Sequence, residues 1–442
     1  MNPARSRRFA VARALVALTL MLGVSPAWAS PPLAPPPGAA AVTNAAEFDP
    51  QAATDAYLAT VHGEARERSD AYFEGGYWLI LWDFLASVVV ALLLLQTRLS
   101  ARMRDAAAKV TRLRFVHGAL YFLQYFVVVA VLQFPLTLYE GFFREHKYGL
   151  STQTFGAWIG DQGKGLIIGA LLGALLVPVF FAAIRRAGKR WWVVATVLSI
   201  VVMMLLIAVT PVYLAPVFND YTELKDESIR EPILALARAN GIEASHVYQF
   251  DASKQSNRVS ANVSGLFGTE RISLNDNLLN RCSPEEIFGV LGHEMGHYVM
   301  HHIFKAILEF GILILIGFAA VDYFFRRVHA RYGERWGIGG VDDVASLPLL
   351  GLLFSVYAFL LTPVFNTITR TQEYEADLYG LNAAQQPDGE AQVDLKLGDY
   401  RKLDPGPIEE MIFFDHPSGR TRIFAAMRWK KEHMAGGVLH TQ

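Results

Sequence analysis

Ser283-Pro284-Glu285-Glu286-Ile287-Phe288-Gly289-Val290-Leu291-Gly292-His293-Glu294-Met295-Gly296-His297 is the stretch on which the reading of this chain turns. Ser283 reads as an N-cap, Pro284 as the first helical residue, and Glu286 closes a capping box, so a helix opens here and runs to His301. Two histidines four apart then share one helical face, about 6 Å apart along the axis at 1.5 Å per residue. Both imidazoles can reach one metal ion, and Glu294 projects towards the same ion, where it can take a proton from water. That arrangement is what a zinc peptidase requires.

On either side of this helix lie long apolar segments: Tyr77–Gln96, Phe115–Tyr139, Gly165–Ile184, Trp191–Val212, Phe304–Phe325 and Leu347–Phe365. Each approaches the roughly 20 residues that cross about 30 Å of hydrocarbon. Mean hydropathy is +0.26 and 18% of the 442 residues are charged, against about 25% in soluble proteins. The expected fold is therefore an all-α polytopic membrane protein of six spans, carrying a small α+β catalytic segment. Net charge of −1 with no basic stripe gives no sign of a nucleic-acid partner. Cys282 is the only cysteine, which excludes intrachain disulfides and thiolate metal sites and leaves His and carboxylates as ligands.

The N-terminus reads as an export signal, with Arg5, Arg7, Arg8 and Arg13 ahead of apolar Ala14–Val24 and Ala27-Trp28-Ala29 before Ser30. The rival reading is an uncleaved seventh helix. Pro31–Ala41 follows as a linker. The divisions are then 1–29 signal, 30–76 extramembrane, 77–215 four spans, 216–303 catalytic segment, 304–366 two spans, and 367–442 a C-terminal segment. Arg98, Arg102, Arg104, Lys109, Arg112 and Arg114 follow the first span. Arg185, Arg186, Lys189 and Arg190 follow the third, and Arg326, Arg327, Arg331 and Arg335 follow the fifth. The positive-inside rule makes these loops cytoplasmic and the face bearing His293 periplasmic, in a bacterial inner membrane.

Within the catalytic segment, Asp226–Asn240 reads as an amphipathic helix ended by Gly241. His246–Phe250, Arg258–Val263 and Arg271–Asn275 read as strands of a small meander, with Gly265 and Gly268-Thr269 in turns. A third ligand must come from elsewhere. Glu373 and Asp377 in Glu373-Tyr374-Glu375-Ala376-Asp377 share a helical face, so Glu373 can bind zinc while Asp377 accepts a hydrogen bond from a ligand histidine. Glu375 points elsewhere, and Arg370 is expected to pair with a nearby acid. His301 and His302 are read as interfacial residues, because three protein ligands and water complete a catalytic zinc site. The repeated Pro-Val-Phe-Asn at Pro216–Asn219 and Pro363–Asn366 reads as two helix breaks.

Taken together, His293 to His297, Asn366 to Arg370 with Glu373 to Asp377, Leu214 to Asn219, and Asp415-His416-Pro417-Ser418 with Arg422 resemble the type I CAAX prenyl endopeptidase family, integral-membrane gluzincin zinc peptidases. The resemblance covers roughly Asp49 to the C-terminus. It implies one zinc ion per chain held by His293, His297 and Glu373, with Glu294 as general base. It also implies that Asn262 holds the substrate backbone and that His416 and Arg422 lie near the scissile carbonyl as oxyanion or carboxylate partners. A chamber walled by six or seven helices, a peptide or protein substrate, and a surrounding bilayer come with it. The export signal replaces the family's first helix, and the basic loops put the site on the face opposite to that of eukaryotic members. Non-prenylated membrane or exported proteins are then the expected substrates. A zinc-stabilised scaffold or chaperone is the non-enzymatic alternative, against which Glu294 speaks; a transporter would need more charged or broken positions in its spans.

Overall fold

The computed structural model describes residues 48–264 and 270–435; the expected export signal and linker, and the turns at Gly265 and Gly268-Thr269, lie outside them. The described chain is mostly helical. The long apolar helices are α1 (Gly63–Gln96), α2 (Arg114–Leu138), α3 (Phe155–Ala187), α4 (Trp191–Val209), α6 (His302–Trp336) and the bent pair α7 (Leu347–Leu360) and α8 (Thr362–Ala384), with the metal-motif helix α5 (Pro284–Val299) before α6. Four apolar helical runs, Gly63–Gln96, Arg114–Lys147, Phe155–Val217 and His302–Trp336, are long enough to cross a membrane, and the bent pair makes a fifth.

The run Phe155–Val217 is not one rod. Lys164 Nζ, near its start, donates to the carbonyl of Val217, at its end, over 3.3 Å. The chain turns at Gly188, whose φ of +54° favours glycine, and α4 returns alongside α3. Phe318 of α6 touches both arms through Phe180 and Trp191, each with ring centroids 6.0 Å apart. Tyr121, Leu94, Leu95, Phe181 and Trp191 are fully buried in the core these helices share.

The sixth expected span, Leu347–Phe365, is broken. Its helix stops at Leu360 and restarts at Thr362 with a bend of 59°. Pro363 stands in the first turn of α8, where its missing N–H costs nothing but where an unbroken helix would lose a bond.

Three basic segments converge on one end of the bundle. Arg98, after α1, donates to the carbonyls of Arg335 and Glu334 at 2.7 and 2.8 Å. Arg104 pairs with Asp343 at 2.5 Å, and Arg185, in the last turn of α3, reaches the carbonyl of Asp342 at 3.5 Å. This end lies at the C-terminus of α6, whose 35 residues make a rod of roughly 50 Å. The metal motif lies at its N-terminus.

Between α4 and α5 the chain forms a helix, Glu227–Ala239, and a four-stranded sheet of β1 (Tyr221–Glu223), β2 (Val247–Phe250), β3 (Ala261–Ser264) and β4 (Arg271–Asn275) in the order β1-β2-β4-β3. The expected meander is overturned. β2 pairs with β4 in parallel, β3 turns antiparallel onto the outside of β4, and β1 adds to the far edge. Only three residues long and mostly exposed, β1 carries no alternation that could mark it. The strand expected at Arg258–Val263 begins only at Ala261, because the backbone of Arg258 is taken by Asn275 and Asn277 side chains.

Ile233, Val247, Ile272, Leu274 and Leu278 form the core under this sheet, and α5 contributes Ile287, Leu291 and Met295 to it. Those three recur every fourth residue, so they make one apolar row and turn the row of His293 and His297 away from it. The capping box forms: Ser283 Oγ accepts from Glu286 N–H, and Glu286 Oε2 accepts from Ser283 N–H at 2.5 Å. α5 ends at Val299 and not at His301. Met300 caps it, and His301 takes a φ of +56° before α6 begins at His302.

Ser283→Ala is expected to lower stability by about 1 kcal/mol through loss of the cap, read as a lower melting temperature of the detergent-solubilised protein.

Candidate metal centre

Small residues decide how close the two site-bearing helices come. Gly292 and Gly296 of α5 face Ala376 and Gly380 of α8. A Cβ on Gly380 would lie 2.7 Å from the backbone nitrogen of His293, one on Gly292 2.9 Å from the Gly380 carbonyl oxygen, and one on Gly296 3.1 Å from Ala376 Cα. No side chain separates the backbones. This contact, spaced four residues apart on both helices, carries Glu373 onto the histidine row.

His293 Nε2 and His297 Nε2 lie 3.1 Å apart. Glu373 Oε2 stands 3.3 Å from the first and 3.6 Å from the second. The three offer one ligand atom each within 4.8 Å of one another. A tetrahedral zinc with bonds of about 2.05 Å has ligand–ligand edges of about 3.3 Å, so the triangle has the size of such a site. His416 Nε2 also lies 3.2 Å from Glu373 Oε2.

Each ring of the cluster is held from behind. Asp377 Oδ1 accepts from His293 Nδ1 at 2.7 Å, which turns Nε2 of the ring towards Glu373. Asp415 Oδ1 lies 3.0 Å from His416 Nδ1. His297 Nδ1 meets His302 Nδ1 at 2.9 Å, and His302 Nε2 meets Glu375 Oε2 at 3.0 Å. Burial presses the pKa of His293 down, and the carboxylates of Asp377 and Glu373 more than reverse this, holding it well above the ordinary value. The pocket therefore favours positive charge, whether a proton or a metal ion.

Arg422 is placed differently from expectation. Its guanidinium does not reach the cluster; Nε and Nη2 bind Asp377 at 3.0 and 2.6 Å, Nη2 also meets Glu390 at 3.1 Å, and Nη1 meets Asp394 at 2.7 Å. It fixes the carboxylate that fixes His293. Three acids surround one buried cation, and burial pushes Asp394 and Glu390 up towards their neutral forms against the pull of Arg422, so the buried charge stays small.

Arg370, expected to pair with an acid, donates to the carbonyls of Glu410 and Phe414 at 2.9 and 2.6 Å and feels the charges of Glu410 and Asp415, and Asn366 donates to the carbonyl of Ile412 at 2.6 Å. Both lie on α8, so the helix that supplies Glu373 also anchors the segment that supplies His416. Glu294 is half-buried next to His293. Asn262 lies on β3, opposite Ser273, and β3 packs directly on α5. His301 is exposed, whereas His302, expected at an interface, is buried beside His297. Sequence spacing hides that pairing: five residues separate the two, and only the left-handed turn at His301 folds one onto the other. Glu390, Asp394 and Asp415 carry no comparable mark either, beyond Asp415 preceding His416.

Residues 223–430 match the model of peptidase family M48, and residues 50–220 match that of the CAAX prenyl protease N-terminal region with five membrane helices. An uncharacterized metalloprotease of Bacillus subtilis, YhfN, is 34% identical over 278 residues, or 62% of this chain and 65% of that protein. CAAX prenyl protease 1 of Saccharomyces cerevisiae is 28% identical over 311 residues, 67% of this chain and 68% of that protein. The crystal structure of S. mikatae Ste24p shares the fold, with a TM-score of 0.68 and 22% identity over 82% of this chain and 88% of that one.

Gly380→Val is expected to wedge α8 from α5, lowering stability by about 1–3 kcal/mol and lowering the metal bound per chain below that of wild type, measured by elemental analysis after gel filtration. A variant retaining the wild-type metal content would show that backbone contact does not set the site.

Proposed function

The chain belongs to the M48 and CAAX prenyl protease superfamily, and from that premise we propose that it is a zinc-dependent membrane endopeptidase. The observation that carries the reading is the convergence of His293 Nε2, His297 Nε2 and Glu373 Oε2 on a triangle of tetrahedral-zinc size. His293, His297 and Glu373 would hold the ion. When bound, zinc supplies a Lewis acid and lowers the pKa of water towards about 7.

The chain's own groups do the rest. Glu294, next in sequence to His293 and half-buried, takes the proton of the attacking water and delivers it to the leaving amine. His416, its Nδ1–H donated to Asp415, presents Nε2 beside Glu373 and polarises or holds the oxygen of the scissile carbonyl. Arg422 acts through Asp377 on the orientation of His293 and does not touch substrate. Asn262 lies on β3, an edge strand whose one neighbour among the described residues is β4. A substrate backbone added along that edge would run beside α5 and be held by main-chain hydrogen bonds, favouring length over sequence.

Six spans are proposed: α1, α2, α3, α4, α6 and the bent α7–α8 pair. The count rests on reading Phe155–Val217 as a hairpin, which the Lys164 contact with Val217 supports. The basic segments gathered at the far end of α6 support a cytoplasmic position for that end and a periplasmic one for the metal centre, in a bacterial inner membrane. Relatives carry the name CAAX prenyl protease; on the periplasmic face the proposed substrates are non-prenylated membrane or exported proteins. A scaffold that only binds proteins would have no use for Glu294 and would close the metal with a fourth protein ligand.

Glu294→Gln is expected to keep one zinc per chain and to lose cleavage of a generic peptide by about 100- to 10,000-fold. A chelator should abolish wild-type cleavage and added zinc restore it. Near-full activity in the variant would remove the assignment of the base, and chelator-resistant cleavage that of the metal. For the edge strand, N-methylating alternate amides of a good peptide substrate is expected to lower kcat/KM about tenfold or more in one register and little in the other. Equal turnover in both registers would count against strand addition.

A further inference from the structure

Two of the three rings at the centre are steadied by a carboxylate directly, His293 by Asp377 and His416 by Asp415. His297 is not. Behind it stands a second imidazole, His302, 3% exposed, its ring 5.0 Å away and turned 75° to that of His297. Beyond His302 come Glu375 and Lys305, with Lys305 Nζ 2.6 Å from the same Glu375 Oε2 that meets His302 Nε2 at 3.0 Å.

We infer that His302, oriented by Glu375 and Lys305, is a positioning residue that fixes the tautomer and ring angle of His297 for metal binding. The inference rests on the zinc reading above. Its logic follows from counting protons. A carboxylate paired with a lysine can only accept, so His302 carries its proton on Nε2 and points a lone pair from Nδ1. The two Nδ1 atoms are 2.9 Å apart and one must donate, so His297 carries its proton on Nδ1. Its Nε2 is then left with a lone pair, aimed at the triangle shared with His293 and Glu373. The opposite tautomer would put an N–H into the metal position. A ligand histidine ordinarily gives its other N–H to a carboxylate or carbonyl; here an imidazole passes that demand on to a carboxylate one step further away.

The geometry explains the kink that produces it. His301 adopts a φ of +56°, and this single left-handed residue ends the line of α5 and lays the first residue of α6 back onto the ring of His297. Lys305, one turn into α6, then reaches Glu375 on α8, so the relay also joins the helix bearing His297 to the one bearing Glu373.

The test compares wild type, His302→Asn and His302→Leu by zinc affinity in chelator competition and by the melting temperature of the zinc-free proteins. Asn places an amide oxygen near the position of Nδ1 and can accept from His297, whereas Leu fills the space without an acceptor. The Leu variant is expected to bind zinc about 10- to 100-fold more weakly, the Asn variant to recover most of that loss, and the two zinc-free melting temperatures to agree. A Leu variant as tight as wild type, or an Asn variant as weak as Leu, overturns the inference while leaving the zinc site intact. Should the Leu variant not fold, Glu375→Ala probes the far end of the relay, with about a fivefold loss of affinity expected and an unchanged affinity overturning it. Wild-type protein that takes up no zinc overturns the metal reading itself.

Discussion

The close packing of α5 on α8 is the constraint from which the rest of the site descends. Neither helix can make the centre alone, since α5 supplies two ligands and α8 the third, from positions 80 and 76 residues apart in the chain. Glycines at 292, 296 and 380 and alanine at 376 let the backbones touch. The same approach places Asp377 behind His293, because Glu373 and Asp377 are one turn apart on the face that meets α5. One packing decision thus sets both a ligand and the group that orients another ligand. Other contacts then fall into line: Arg422 locks Asp377, and Arg370 and Asn366 tie the His416 segment to α8.

A centre buried this deeply must manage charge. Arg422 faces three carboxylates with little water near, and an interior of low dielectric cannot hold three negative charges against one positive. Burial resolves this by driving Asp394 and Glu390 towards neutrality, where they keep their hydrogen bonds without the charge. Asp377, chelated by two guanidinium nitrogens, is the carboxylate with the strongest reason to stay ionised. The arrangement gives His293 a charged acceptor fixed in position, which a mobile surface acid could not provide.

Much of this was legible in the amino-acid order. The capped helix at Ser283, the histidine pair, and Glu373 with Asp377 four residues on are all local patterns of helical period, and the structure places them together. Each apolar run falls on a long helix or on the bent pair, but several of these helices extend ten or more residues beyond it in polar sequence, as at Gly63, Phe155 and Trp336. What escaped was whatever depends on a change of chain direction. The parallel pairing of β2 with β4 cannot be read from strands of four or five residues, whose alternation is the same in either sense. His302, expected at an interface, is buried beside His297 because the helix stops before His301 and helical spacing does not carry through that turn. The family resemblance alone implies a place for Arg422 near the scissile carbonyl; its three acidic partners lie 28 to 45 residues away in sequence and leave no periodic trace.

The membrane gives these direction changes a purpose. A continuous helix from α5 into α6 would carry His297 and His302 to different faces, and α7 continued straight through Leu361 would carry Glu373 away from the histidines. Both breaks sit where apolar span meets polar segment: His301 turns the chain before α6, and Leu361 and Pro363 bend it by 59° before α8. Broken helices tolerate such bends only where the freed backbone groups find partners. Here they do so within the following turn, where Phe365 N–H donates to the Leu361 carbonyl at 3.0 Å and Lys305 N–H to that of His301 at 3.1 Å. The centre is therefore built by two bends at the same level of the molecule, each bringing one half of the ligand set out of its span and onto the other. A polar seam follows from this: Gln372 of α8 donates to Glu309 of α6 at 2.6 Å, one turn beyond the pair of Lys305 with Glu375. Side chains of the two helices thus continue to satisfy each other past the metal centre, as the buried Gln372 amide requires.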